Sequence, residues 1–110
     1  MKNLKDAIEH YFRKEHSASY YSGLLNISTK ALAKIIKSHL GKPLNHLISE
    51  RIVVEAKREL YLTSKPAKEI AYDLGFNDEY YFSRFFKKNA AISPQTYRDT
   101  VGSGKLATIN

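Results

Sequence analysis

The sequence contains an internal repeat, and this repeat restricts the possible folds more than any other feature. Shifting the first half forward by 49 residues places Leu25 on Leu74, and beyond the next turn the shift becomes 50. The aligned positions share their character: Leu32, Ile35 and Ile36 meet Phe82, Phe85 and Phe86, while Lys34 and Lys37 meet Arg84 and Lys87. Matching apolar and basic positions at helical spacing predict two copies of one helix–turn–helix unit.

Apolar residues recur at helical spacing throughout the chain, and no segment shows the alternation of a strand. The residues expected on the buried side of the first repeat's second helix are Leu32, Ile35, Ile36 and Leu40. A longer helix covers residues 44–62, and at 1.5 Å per residue it extends about 28 Å. The pattern predicts an all-α fold of about seven helices, with two helix–turn–helix subdomains joined by this long linker helix.

Capping residues and helix breakers set the expected boundaries. The predicted N-caps are Ser28, Asn77 or Asp78, and Ser93, the predicted stop signals are Gly41 and Gly75, and Pro66 is expected in a first turn. These signals divide the chain into a first helix–turn–helix subdomain at residues 4–43, the linker helix at 44–62 and a second subdomain at 63–99. Small and polar residues at 100–110 predict a flexible tail.

The charge of the chain favours an acidic partner. Its 110 residues carry 18 Lys and Arg against 11 Asp and Glu, a net charge of +7. Four lysines and no acidic residue lie in residues 28–42, so more than half of the excess is in one segment. Nucleic acid is the simplest partner for such a segment, and a solvated lysine face is the alternative. No apolar run approaches the length of a membrane span, so no membrane association is expected.

Nothing in the sequence predicts catalysis. The two carboxylate pairs at helical spacing, Glu55 with Glu59 and Glu69 with Asp73, have basic neighbours and are expected to form surface ion pairs. The four histidines lack ligand spacing, and the absence of cysteine excludes thiol chemistry. We therefore expect no enzyme activity, no cofactor and no metal site.

The second helix of each unit has one apolar face and one free face, and a helix of this kind fits the major groove of B-DNA. The residues predicted to face DNA bases are Lys30, Ala33, Lys34, Glu79, Tyr80, Ser83 and Arg84. Those predicted to contact the DNA backbone are Ser28, Thr29, Lys37, Asn77, Lys87 and Lys88. Arg84 is the main candidate base reader because its planar fork matches guanine O6 and N7. A phosphate contact, or a salt bridge with Glu79 or Asp78, is the alternative for Arg84.

Three stretches carry a resemblance to a known family: Glu69 to Phe76 (EIAYDLGF), Tyr81 to Lys88 (YFSRFFKK), and Ser93-Pro94 with Tyr97-Arg98. Over about residues 4–99 the chain resembles the DNA-binding domain of the AraC/XylS family of bacterial transcription regulators. The resemblance implies a homeodomain-like domain that inserts two recognition helices, at about 28–39 and 78–88, into adjacent major grooves. Ala91 departs from the family, which usually has glycine there, so a tighter or displaced turn is expected at that position.

The resemblance also implies partners and context. Regulators of this family usually carry a further domain ahead of this one, so a C-terminal fragment of a longer cytoplasmic regulator is favoured over a stand-alone member. The isolated domain is expected to be monomeric and the full-length regulator dimeric, with double-stranded DNA as the partner and RNA polymerase as a second one. A protein-interaction module and a non-specific nucleic-acid binder are the alternatives.

Overall fold

A computed structural model describes the backbone of residues 2–109 and the side chains of residues 4–101. Its helices, in chain order, are α1 (Lys2–Tyr11), α2 (Ala18–Leu24), α3 (Thr29–Leu40), α4 (Leu44–Leu62), α5 (Ala67–Asp73), α6 (Glu79–Ala90) and α7 (Pro94–Ile109). Over the described backbone there are seven helices and no strand. The expected all-α fold class is confirmed.

The chain divides into two compact units, and the division falls inside α4. Unit 1 ends at Ile52 and unit 2 begins at Val53. Unit 1 therefore holds α1 to α3 and the first half of α4, while unit 2 holds the rest of α4 and α5 to α7. None of the described helices is both long and apolar enough to span a bilayer.

The internal repeat is also a repeat of helix lengths and turn hydrogen bonds. Helices α2 and α5 each have 7 residues, and α3 and α6 each have 12. In unit 1 the turn closes when the Ile27 N–H donates to the Ser22 carbonyl at 3.0 Å. In unit 2 the Phe76 N–H donates to the Ala71 carbonyl at 2.9 Å. Both units thus build the same turn, as the repeat predicts.

The second helix of each unit begins at a predicted N-cap. The Ser28 hydroxyl accepts from the Ala31 N–H at 3.0 Å. Of the two candidates in unit 2, Asp78 is the cap, and its Oδ1 accepts from the N–H groups of Tyr80 and Tyr81 at 2.6 and 3.3 Å. These bonds satisfy backbone donors that have no partner within the helix.

The other predicted caps differ in one detail. Ser93 caps α7, because its hydroxyl accepts from the Thr96 N–H at 3.1 Å. Pro66 lies one position before the expected one: it is the N-cap residue of α5, in an extended conformation, and not part of the first turn. Helix α7 continues to Ile109, beyond residue 99, where the second subdomain is expected to end. The predicted flexible tail falls on residues whose side chains lie mostly outside the described ones, and it stays a prediction.

Four residues with left-handed backbones occupy equivalent places in the two units. Asn26 (φ 62) and Gly75 (φ 88) follow α2 and α5, and Gly41 (φ 70) and Ala91 (φ 74) follow α3 and α6. The N–H groups of Gly41 and Ala91 donate to carbonyls four residues earlier, at 3.3 and 2.8 Å. Ala91 therefore adopts the conformation that a glycine would take, in spite of its Cβ atom.

The core of unit 1 is mainly aliphatic, with two aromatic side chains, one just after α1 and one from α2. Its buried residues include Leu4, Ile8, Phe12, Tyr21, Leu32, Ile36, Ile48 and Ile52. The expectation that Ile35 would be buried is wrong, since it is 37% exposed. Leu40 is only partly buried. Ile27, the turn residue equivalent to Phe76, is also 37% exposed, whereas Phe76 is buried.

The core of unit 2 is aromatic. Phe82 and Phe86 are 0% exposed, and the ring centroid of Phe76 lies 5.3 Å from that of Phe82. Phe76 also covers the half-buried Phe85, at 5.1 Å between centroids. The ring of Tyr97 in α7 meets Phe86 at 5.7 Å. The phenylalanines therefore anchor α6 by one face, as the sequence predicts.

Long-range contacts from α7 complete the end of α4. Arg98 donates from Nε to the Leu60 carbonyl at 3.1 Å and from Nη2 to the Thr63 carbonyl at 3.2 Å. The Nζ of Lys57 lies over the Tyr97 ring, 5.7 Å from its centroid. A cationic donor at the last carbonyls of a helix both satisfies them and complements the helix dipole.

The carboxylates of unit 2 only partly follow the expected surface pairs. Glu55 is 2% exposed, so the expectation of a surface position for it is wrong. Glu59 and Asp73 both pair with Lys65, at 3.3 and 3.2 Å. These two carboxylates raise the pKa of Lys65, chiefly through hydrogen bonds. The arrangement is an ion-pair network in which Lys65 joins Glu59 of α4 to Asp73 at the end of α5.

Candidate nucleic-acid interface

Helix α3 presents a lysine face on the side away from the core of unit 1. Lys30, Lys34 and Lys37 are exposed, while Leu32 and Ile36 on the opposite side are buried. Within the described residues, none of these three lysines forms an ion pair. Three positive charges on one helix face with no acidic neighbour make a surface suited to phosphate groups.

The fourth lysine of the basic segment does not belong to this face. Lys42 donates to the Glu50 carboxylate at 3.0 Å. This hydrogen bond is the main cause that lowers the pKa of Glu50. The excess charge of residues 28–42 that remains for an external partner is therefore carried by Lys30, Lys34 and Lys37.

The two hydroxyl residues at the start of α3 already have internal partners. Ser28 caps the helix through Ala31, and the Thr29 hydroxyl lies 3.1 Å from that of Ser22. Both residues are exposed, and a hydroxyl has one donor and two acceptor sites, so either can make a further contact. Ala33 is exposed between the lysines and leaves room for a close approach of another molecule.

Helix α6 presents a mixed face. Glu79, Tyr80, Arg84 and Lys87 are exposed, and Ser83 is half-buried. Arg84 lies over the ring of Tyr80, with its Cζ atom 5.8 Å from the ring centroid. No ion pair joins Arg84 to Glu79 or Asp78 in the described part of the chain, so the salt-bridge alternative for Arg84 is not supported. Its guanidinium is available to an external acceptor.

The residues predicted to touch the DNA backbone in unit 2 flank this face. Asn77 is exposed just before the cap, and Lys87 and Lys88 are exposed in the last turn of α6. The negative charge of Asp78 is engaged in two backbone hydrogen bonds at the helix start. Among the described residues, no group of three or more His, Asp or Glu side chains is arranged to hold a metal ion.

Each unit therefore contains a scaffold helix, a tight turn with a left-handed residue, and a second helix with one buried apolar face and one exposed polar face. The exposed face is basic in unit 1 and mixed in unit 2. A helix of this size and polarity fits the major groove of B-DNA. Fold and surface together define the class: a double helix–turn–helix domain of the nucleic-acid-binding type.

Comparisons with known proteins agree with this class. The family described as a helix-turn-helix domain matches residues 21–100. The HTH-type transcriptional activator RhaS of Mannheimia succiniciproducens is 32% identical over 91 residues, 83% of this chain and 34% of that protein. The arabinose operon regulatory protein of Escherichia coli is 31% identical over 72 residues, 66% of this chain and 25% of that protein. The C-terminal domain of AraT, a response regulator from Geobacillus stearothermophilus, has a TM-score of 0.86 and 31% identity, covering 90% of this chain and 83% of that one.

The chain belongs to the AraC-type helix-turn-helix family and is a DNA-binding domain of the kind that transcription regulators carry. It spans 34% of the RhaS relative and 25% of the arabinose regulator, about a third or less of their length. The family resemblance carried by the sequence motifs is thus confirmed.

The structure gives one of those motifs a structural role that sequence reasoning missed. Tyr97 packs on Phe86, and Arg98 closes the end of α4. The separation of 38 and 35 residues between Arg98 and its two carbonyl partners hid this role in the sequence. The stacking of Arg84 on Tyr80 was also missed, although the spacing of four residues on one helix is a signal for such a pair.

Proposed function

We propose that this domain binds double-stranded DNA in a sequence-specific way, with α3 and α6 entering adjacent major grooves. The observation that supports this most directly is common to both units. Each second helix is anchored by fully buried side chains, Leu32 and Ile36 in α3 and Phe82 and Phe86 in α6, and leaves an exposed polar face. A rigidly held helix with a free polar face is what groove reading requires. The linker helix α4, about 28 Å long, is comparable with one turn of DNA, about 34 Å.

We assign the base-facing role to the central residues of each exposed face: Lys30, Ala33, Lys34, Glu79, Tyr80, Ser83 and Arg84. The flanking residues Ser28, Thr29, Lys37, Asn77, Lys87 and Lys88 hold the phosphate backbone. Phosphate contacts set affinity and register, whereas contacts to base edges set specificity. Glu79 accepts from cytosine N4 or excludes phosphate, and Tyr80 is large enough to meet a thymine methyl group.

The two units contribute unequally in this proposal. Unit 1 presents three lysines without a carboxylate partner among the described residues, so it supplies more of the affinity. Lys34→Ala is then expected to weaken binding more than Arg84→Ala. If Arg84→Ala is the more damaging change at every salt concentration, the roles of the two units are reversed.

The domain acts, we infer, as the C-terminal part of a longer bacterial regulator in the cytoplasm. The support is its family and its short span of the curated relatives. The isolated domain is monomeric, the full-length regulator is dimeric, and RNA polymerase is a second partner of the bound regulator. Its function is regulation of transcription, with no catalytic step and no cofactor.

Selection from a random double-stranded DNA library at near-physiological salt, followed by footprinting, tests the proposal. The expected result is an enriched, non-palindromic motif with two blocks about 10 base pairs apart. A bound pool that stays random while affinity falls steeply with salt supports a non-specific binder instead. A domain that binds no duplex at any salt concentration supports a protein-interaction module.

A further inference from the structure

We propose that Tyr80 is a positioning residue for Arg84, and that this pair makes α6 selective for guanine at one base pair. The inference rests on the proposed function and adds a residue that acts through another. Arg84 lies over the Tyr80 ring at 5.8 Å, within the range of about 6 Å for a cation–π contact. Tyr80 is 69% exposed, so its ring contributes little to the core and remains available to the guanidinium.

The position of the two residues on α6 makes the contact a local one. They are four residues apart, so they lie one above the other on the same helix face. Glu79, the nearest acidic residue in the sequence that does not cap the helix, is five residues from Arg84. At 100° per residue, its side chain points about 140° away around the helix. The Asp78 carboxylate accepts backbone N–H groups instead. Among the residues whose side chains are described, no carboxylate forms an ion pair with Arg84, so the Tyr80 ring is its observed partner.

A cation–π contact holds the guanidinium near the ring and leaves its N–H donors free. An arginine on an exposed helix face otherwise samples many rotamers, and fixing them on binding costs side-chain entropy. The N–H groups that recognise guanine O6 and N7 lie along the guanidinium edge, in its plane. The Tyr80 ring thus narrows the range of positions that the fork can take, without occupying its donors.

The repeat offers an internal comparison. The positions in α3 equivalent to Tyr80 and Arg84 are Lys30 and Lys34, which have the same spacing of four residues. Two like charges at this spacing repel each other, and no aromatic contact to either is present among the described residues. Helix α3 therefore holds two flexible point charges where α6 holds an oriented fork, and only α6 is built to discriminate one base through a fixed side chain.

The test uses the DNA motif selected by the wild-type domain. Arg84→Lys first identifies the base pair at which the preference for guanine is lost. Affinities are then measured for the wild type, Tyr80→Ala and Tyr80→Phe on duplexes with each of the four bases at that position. Tyr80→Ala is expected to lower the preference for guanine roughly two- to fivefold, and Tyr80→Phe to keep it, because the ring alone orients Arg84.

Lys30→Ala is the matched control at the equivalent position of α3. It is expected to lower the affinity for the selected motif and to leave the guanine preference at the Arg84 base pair unchanged, because Lys30 faces a different part of the site. Tyr80→Ala is expected to leave the salt dependence unchanged. Because the Tyr80 side chain is exposed, circular dichroism and the thermal midpoint should show that both variants fold as the wild type does.

Three results would overturn the inference. One is an unchanged guanine preference in Tyr80→Ala. Another is equal loss in Tyr80→Phe and Tyr80→Ala, which would mean that the hydroxyl contacts the DNA. The third is an effect of Tyr80→Ala confined to a base pair other than the one read by Arg84, which would leave Tyr80 only the base-facing role assigned above. If the wild type selects no motif, the proposed function fails first, before any variant is compared, and the inference falls with it.

Discussion

Ala91 holds a left-handed conformation that costs free energy, so replacing it with glycine is expected to stabilise unit 2. Its φ of 74° and ψ of −15° match those of Gly41, at 70° and 2°, at the equivalent place in unit 1. An L-residue in this region is about 1–2 kcal/mol less stable than in a right-handed conformation. From the sequence we expected a tighter or displaced turn at this position. The matching dihedral angles show that the turn is not displaced to avoid the Cβ atom.

The net gain is smaller than the strain that is removed. Glycine also gives the unfolded chain more freedom, which lowers stability by about 0.4–1 kcal/mol. The difference leaves Ala91→Gly more stable by about 0.8 kcal/mol, which corresponds to an increase of about 3–6 °C in the thermal midpoint. Urea unfolding followed by circular dichroism measures the change directly.

Two matched variants test the reasoning. Gly41→Ala introduces the same strain in unit 1, and its Cβ atom would meet nothing within 4 Å, so the change is purely conformational. It is expected to destabilise by a similar amount. Ala90→Gly, one residue before the cap and inside α6, is expected to destabilise by about 1 kcal/mol because glycine is a poor helix former. A destabilised Ala91→Gly would refute the argument, and so would Gly41→Ala without any loss of stability.

Three further changes probe other contacts. Arg98→Ala removes both hydrogen bonds to the last carbonyls of α4 and is expected to destabilise by about 2 kcal/mol, with partial recovery in Arg98→Lys; full stability of Arg98→Ala in urea unfolding would contradict it. Burial raises the pKa of Tyr21 to about 12, so the stability that its neutral form provides is complete below pH 10 and lost between pH 10 and 12. Relative to Tyr21→Phe, the free energy of unfolding of the wild type should fall over this window. Parallel plots of unfolding free energy against pH for the two proteins would argue against it. The hydrogen bond from Arg51 lowers the pKa of Glu9, so this pair stabilises unit 1 above about pH 4.5 and stabilises it less as the pH falls further. The difference in unfolding free energy between the wild type and Glu9→Gln should therefore shrink in acid. A difference that stays constant with pH would exclude the pair as its source.

The features of the fold that could be read from the sequence are the ones that local chemistry decides. Ser28, Asp78 and Gly41 were predictable because a capping oxygen or a left-handed glycine acts within four residues of its own position. Helical spacing identified the buried face of α3 but wrongly assigned Ile35 to that face. The width of a buried face depends on the neighbour across it, and here Ile27 is too small to cover what Phe76 covers in unit 2.

For the candidate site, too, locally determined features were predictable from the sequence, and those that depend on the tertiary fold were not. The exposure of Lys30, Lys34 and Arg84 was predictable, because these residues lie opposite apolar ones that any core must bury. The burial of Glu55 and the closing of α4 by Arg98 were not, because both depend on residues brought together only by the tertiary fold.

The change of offset from 49 to 50 is caused by one additional residue, Asn77, between Phe76 and the Asp78 cap. It lies after the turn hydrogen bond has closed at Phe76 and before the helix begins, so neither element is altered by its presence. Helices α3 and α6 have equal lengths and equivalent positions of both caps, so their exposed faces can be exchanged. Exchanging only their exposed positions between the units would produce chimeric domains with a permuted order of recognition surfaces on two unchanged scaffolds.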